Sequence, residues 1–293
     1  MSTKTITTIL KICCVFIFIG RGYQHLFWDA PFRSLLWDQK LLEPVITNVF
    51  NMTWNDYVTS LKIDSYIQQS IKLIGILYCI CAVLVVLVHQ HSKQWMKNII
   101  YIGGVNLVCL SLLLTKDKFY HLAMFFEHSI QFGLPFLLLY FLKNRNRFRL
   151  QLLLKVTIAV AFVCHGLYAI GTLYPIPANF VTMTLNILPV NEPTAKQLLV
   201  VMGVIDFVIA IGIFIPKITK PFLIYAVFWG IATALARLIS PLVYGFSVDI
   251  LHQYLYLVVY RIPHGLAPLL ILLMSLKPKR TLRFAKEEEI LYV

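Results

Sequence analysis

The side chains of this chain that can do chemistry sit where the surrounding sequence is apolar: Arg21, His25, Glu127, His128, His165, Asp206, Arg237, Arg261 and His264. In a poorly solvated setting arginine binds an anionic or carbonyl-bearing group. Histidine exchanges protons near neutral pH, and a neighbouring carboxylate sets its charge. Helical spacing places several of these residues on common faces. Arg21 and His25 are i, i+4; Arg261, His264 and Pro268 are i, i+3, i+7; His121, His128 and Pro135 follow a seven-residue step. Such faces must turn toward other helices, because hydrocarbon cannot satisfy them. The set is therefore expected to rim one polar cavity, open to the outer side, for a lipid-soluble or anionic ligand. A quinone suits the mixture, with its apolar tail in lipid and its polar head against His and Arg. Whether any reaction follows is left open by these residue types.

Plainer readings stand beside this one. Glu127, Asp206, Arg237 and Arg261 also fit buried ion pairs that fix helix packing, as in a structural or assembly subunit of a membrane complex. Arg21, Lys72 and Arg237 could snorkel to headgroups. A b-type haem needs two axial ligands on facing helices, and His128 with His264, or His165 with either, can be drawn that way. No helix carries an H-x-x-x-H pair, however, so haem is the weaker reading. Neither Cys nor His stands at recognised ligand spacing, so no metal site is expected. No Ser-His-Asp order, phosphate-binding glycine loop or nucleotide fingerprint is present.

The elements that must carry these residues are membrane helices. Hydrophobic residues make up 59% of the chain and charged ones 13%, whereas soluble domains run near roughly 45–50% and 25%. Apolar runs of about 20 residues are expected to span at 6–28, 67–89, 98–115, 119–142, 152–174, 195–216, 220–240 and 253–276, eight helices with none visibly interrupted. The net charge of +13 gathers in short segments between them, such as Lys143 to Arg149 and Lys277 to Lys286. Positive-inside bias accounts for that clustering and places both termini in the cytoplasm. Nucleic acid is not an expected partner; the lipid bilayer is, with a bacterial inner membrane as the expected location. The cysteines all lie inside apolar runs, which argues against a disulfide framework. In the long outer loop Asp29 reads as an N-cap and Pro31 as an early helical residue of a short interfacial helix, with Trp28 and Trp37 at headgroup level. Pro175, Pro177 and Pro189 break the corresponding later loop.

The chain also aligns with itself. "LKICCVFIFIGRGYQHLFWDAP" matches "LKVTIAVAFVCHGLYAIGTLYP" without a gap, pairing Arg21 with His165, Gly22 with Gly166 and Pro31 with Pro175. Gly75 and Tyr78 pair with Gly203 and Asp206; His128, Gln131 and Pro135 pair with Arg261, His264 and Pro268. The expected architecture is all-α, two parallel four-helix repeats covering 1–148 and 149–293, the second ending in a short basic tail. A parallel repeat without an interrupted span disfavours transport.

A four-span unit with R/H-G at the end of its first helix, a Pro-containing segment next, G-x-x-Y/D in its second helix and a polar, Pro-containing last helix resembles the DoxX-like superfamily, which includes DoxX, DoxD and MauE-type proteins. The resemblance covers nearly the whole chain as two tandem copies. It implies a four-helix bundle per unit and, for some members, membrane redox chemistry with quinone or thiols. The chain departs from the thiol-handling members in having no outward-facing cysteine pair.

Overall fold

Helix α1 (Thr3–Phe27) starts where the Ser2 hydroxyl accepts from the Thr5 amide and stops at Trp28, whose backbone is extended. The computed structural model describes residues 1–276, and the basic tail expected from Lys277 onward lies outside the described residues. Three short helices follow, α2 (Arg33–Leu36), α3 (Gln39–Phe50) and α4 (Trp54–Thr59). The caps of α3 and α4 are the side chains of Asp38 and Thr53, each satisfying an amide that the helix cannot. Asp29 is not the cap expected of it. The residue before α2 is Phe32, while Asp29 accepts from the Ala30 amide and pairs with Arg33 at 2.8 Å. A carboxylate next to its own following amide bonds locally and leaves the helix end to the backbone.

The chain continues through α5 (Leu61–Leu87), α6 (Gln94–Asp117), α7 (Leu122–Glu127), α8 (Ser129–Asn144) and α9 (Arg147–Ile170). It ends with α10 (Ala178–Ile187), α11 (Glu192–Gly212), α12 (Thr219–Ile239), a 3₁₀ turn (Ser240–Tyr244), α13 (Val248–Val259) and α14 (Pro263–Ser275). Among the described residues there are 7 helical segments long and apolar enough to cross a membrane, counting α13 with α14 as one. Their outer faces are bare hydrocarbon: α5 alone exposes Leu73, Ile76, Ile80 and Val83, spaced as one helical stripe. An apolar face of that kind needs lipid, and the chain is an integral membrane protein.

Two apolar segments expected to run unbroken are interrupted. The segment 119–142 is α7 and α8, parted at His128 (φ −87°, ψ 4°). There the His128 ring bonds the Met124 carbonyl at 2.8 Å and replaces part of the main-chain ladder. The last span turns at Tyr260 to Ile262. Pro263 follows; it has no amide to donate, and its ring opposes the carbonyl of Val259, the final residue of α13.

Glycines set how closely the helices meet. A Cβ on Gly22 of α1 would stand 3.2 Å from the Gly75 carbonyl oxygen of α5, and one on Gly166 of α9 would stand 2.8 Å from that of Gly203 on α11. Backbones in such contact gain dispersion that a bilayer does not supply. Helix α12 meets α14 in the same way, with Gly230 against the backbone of His264. The core runs from Ile6, Leu10 and Ile17 of α1 to Leu134 and Phe141 of α8 and Leu270 of α14. In this core Cys13, Cys14 and Cys81 are free, buried thiols.

Candidate functional site

The Gly166–Gly203 contact decides where the chemistry sits. His165 precedes one glycine and Asp206 lies three residues after the other, so closing the backbones brings the two side chains together. His165 Nδ1 stands 2.9 Å from Asp206 Oδ2, and the Asp206 side chain is only 1% exposed. With the proton on Nδ1, histidine donates to the carboxylate and its Nε2 is free to accept. Phe180 of α10 covers the ring, with centroids 5.0 Å apart.

Helix α12 supplies the facing wall. Trp229, Thr233 and Arg237 are i, i+4, i+8, a single stripe, and Gly230 beside them lets α14 approach with His264. Arg261, in the turn before α14, reaches Glu127 at the end of α7, at 3.7 Å, and donates to the Tyr260 hydroxyl at 2.8 Å. The groups enclose a cavity of about 40 Å³, lined by Glu127, His165, Asp206, Trp229, Arg237, Arg261 and His264 among others. At ~10–15 Å³ per water that is room for a few waters or one small polyatomic ion.

Arg21, His25 and His128 are not part of the lining. Arg21 is buried rather than snorkelled: Nε and Nη2 donate to Gln131 Oε1 at 3.0 and 2.6 Å, and Nη1 donates to Gln24 Oε1 at 2.7 Å. Its guanidinium lies over the Tyr260 ring, 3.9 Å from the centroid. His25 bonds the Arg21 carbonyl at 2.7 Å and packs edge-on to Tyr78 and to Phe32, beside α2. The residues expected to share one cavity therefore form two groups joined at Tyr260, which has Arg21 on its face and Arg261 on its hydroxyl.

The charges of the cavity do not pair off. Glu127 faces Arg261 and Asp206 faces His165, but Arg237 donates to the Thr233 carbonyl at 3.1 Å and makes no ion pair among the described residues. Asp206 Oδ1 and Trp229 Nε1 form no hydrogen bond of ordinary length among the described residues, and the indole N–H is directed at the Asp206 carboxylate. A cavity with an unpaired guanidinium on its wall can hold a small polar ion. No group of three His, Cys, Asp or Glu able to hold a metal is formed among the described residues.

Trp229, Gly230, Thr233 and Tyr260 shape the site without standing out in the sequence, and Gln131 stands out only as the repeat partner of His264. The four-residue spacing of Trp229, Thr233 and Arg237 was the signal that could have found the α12 stripe. Tyr260 carries none, being ordinary in its own helix until Arg21 is brought beside it. No family model, no curated protein and no solved structure matches this chain, so the reading of the site rests on its own geometry.

Proposed function

We propose that this integral membrane protein binds a small anionic group in the cavity between α7, α9, α11, α12 and α14. The observation that carries the reading is Arg237: a buried guanidinium facing a polar cavity within membrane helices, with no carboxylate of its own. A charge placed there is costly unless something else neutralises it. Of the ligands the residue types suggest, the volume favours an anion or the carboxylate of a larger molecule over a quinone ring, since about 40 Å³ is far below the roughly 300–1,000 Å³ of a drug-sized pocket.

The reading includes two parallel DoxX-like repeats. In its support, the glycine contact of α1 with α5 recurs between α9 and α11, and the breaks at His128 and at Tyr260 to Ile262 fall on residues that align in the two halves. A second reading, a structural or assembly subunit, is favoured by the Arg21 group, whose bonds tie α1 to α8.

Arg237→Gln tests the binding reading. In lipid nanodiscs the wild type should gain about 2.7 kcal/mol of stability from an anion at a hundred times its Kd, read as a rise in unfolding temperature with phosphate or acetate. The variant should fold and show no rise. An equal rise in both would remove Arg237 from the site.

The reading takes the membrane as a bacterial inner membrane with both termini in the cytoplasm and the cavity toward the outer side, and the positive-inside distribution of the basic segments supports that sidedness. A cysteine at the exposed position Asn48 should then react with an impermeant reagent in whole cells, and one at exposed Asn144 should not. The reverse pattern would turn the molecule over.

A further inference from the structure

We infer that the cavity takes up one proton with each anion, the proton going to the His165–Asp206 pair, so that a small monoanion and a proton are bound together. The inference rests on the anion-binding reading and adds the second ligand. Hydrogen-bond direction is the reason. His165 Nδ1 stands 2.9 Å from Asp206 Oδ2, and a carboxylate only accepts, so the neutral ring carries its hydrogen on Nδ1. Nε2, the other nitrogen of a ring that lines the cavity, is then a lone pair that makes no hydrogen bond among the described residues. An anion likewise has only lone pairs to offer. Held by Arg237 in so small a space, it meets this nitrogen as one acceptor against another.

A proton resolves the conflict. With one more hydrogen on the pair, Nε2 becomes a donor to the anion, and Asp206 gains a cationic partner where it has only neutral ones, the His165 ring and the Trp229 indole directed at it. The proton comes from water, and no other covalent bond changes. The other groups around the ring do not compete for it. Glu127 of α7 is already paired with Arg261 at 3.7 Å, and Arg237 of α12 keeps its charge throughout. The Tyr225 hydroxyl of α12, near Asp206, already holds its hydrogen, and α10 offers only the uncharged ring of Phe180. His264 of α14 also presents a free Nε2, since its Nδ1 donates to the Arg261 carbonyl at 3.0 Å. It stands one turn from the Arg261 guanidinium, however, and pairs with no carboxylate among the described residues. Of the two histidines in the lining, only His165 has an acid to hold the added charge.

Nitrate is the probe, because it neither gives nor takes a proton between about pH 5 and 8, the range in which histidine changes charge. Any proton counted is then the protein's. Nitrate is titrated into the protein in phosphatidylcholine nanodiscs at about pH 6.5 and about pH 7.5, around the ordinary histidine value. Ionic strength is held with gluconate, which is too large for a cavity of about 40 Å³. Unfolding temperature gives the affinity, and calorimetry in two buffers of different ionisation heat gives the protons taken up. The bound state holds more protons, so wild-type affinity should fall about tenfold over that pH unit, with close to one proton taken up per nitrate. His165→Gln should bind nitrate weakly, with no proton uptake and the same Kd at both pH values. Asp206→Asn can donate from its amide to Nδ1 and leave the ring hydrogen on Nε2, so it should bind nitrate more tightly than the wild type at the higher pH, again without proton uptake. Should one variant fail to fold, the other carries the test, since each alone must lose the pH dependence. Wild-type binding without proton uptake overturns the coupling and leaves anion binding standing. Proton uptake that persists in folded His165→Gln overturns it as well, by placing the proton elsewhere. No nitrate binding by the wild type at either pH removes the anion reading and this inference with it.

Discussion

Gly230→Ala should destabilise the protein by about 2 kcal/mol and abolish anion binding together. A Cβ at this position would lie 2.5 Å from the His264 carbonyl oxygen, 2.6 Å from its carbon and 2.7 Å from the Gly265 nitrogen. These are backbone atoms, and no rotamer change can move them aside. Alanine gains about 0.5–1 kcal/mol in a helix relative to glycine, while overpacking that must shift backbone costs about 3 kcal/mol, so the clash wins. Relief requires α14 to move away from α12, carrying His264 and Arg261 off the far wall of the cavity. Gly133→Ala is the control: its nearest foreign atom is Thr157 Cγ2 at 3.4 Å, ordinary contact, and it should be neutral or stabilise slightly. Unfolding in a denaturing-detergent titration checks both. A stable, binding-competent Gly230→Ala would mean that α12 and α14 do not meet as described.

Arg261→Met should cost about 3 kcal/mol, at the lower end of the range for breaking a buried pair because the two side chains keep 16% and 12% exposure. The loss comes from what stays behind. Glu127 loses the one cation within 4 Å of it among the described residues, and the Tyr260 hydroxyl loses its donor. The double variant Glu127→Gln/Arg261→Met should recover roughly half or more of that loss, since no unpaired charge remains. The same cycle separates the two readings of the buried charges. A binding site predicts that the double variant folds well and still fails to bind phosphate. If folding and binding both return, the pair is a packing device and the anion site lies elsewhere.

The membrane character of the chain was legible because the bilayer leaves few alternatives: a backbone crossing hydrocarbon must be helical, and its apolar runs must be about 20 residues long. The α12 stripe was legible in part, Arg237 having been picked out and Trp229 and Thr233 passed over. The break at His128 was not, for no Pro or Gly stands beside it to mark an interruption; it comes from a side chain competing for a carbonyl.

By itself the sequence determined that helices cross a membrane and that ionisable groups inside them must face inward, since both follow from local composition and the cost of charge in lipid. Which of those groups meet was decided by the tertiary structure alone. Depth along the axis, counted at 1.5 Å per residue, can be read from position, but the rotation of each helix is set by close contacts between distant segments. Gly166 against Gly203 pairs His165 with Asp206, 41 residues away. The packing of α1 turns Arg21 toward Gln131, 110 residues away, and out of the cavity in which its alignment with His165 would have placed it.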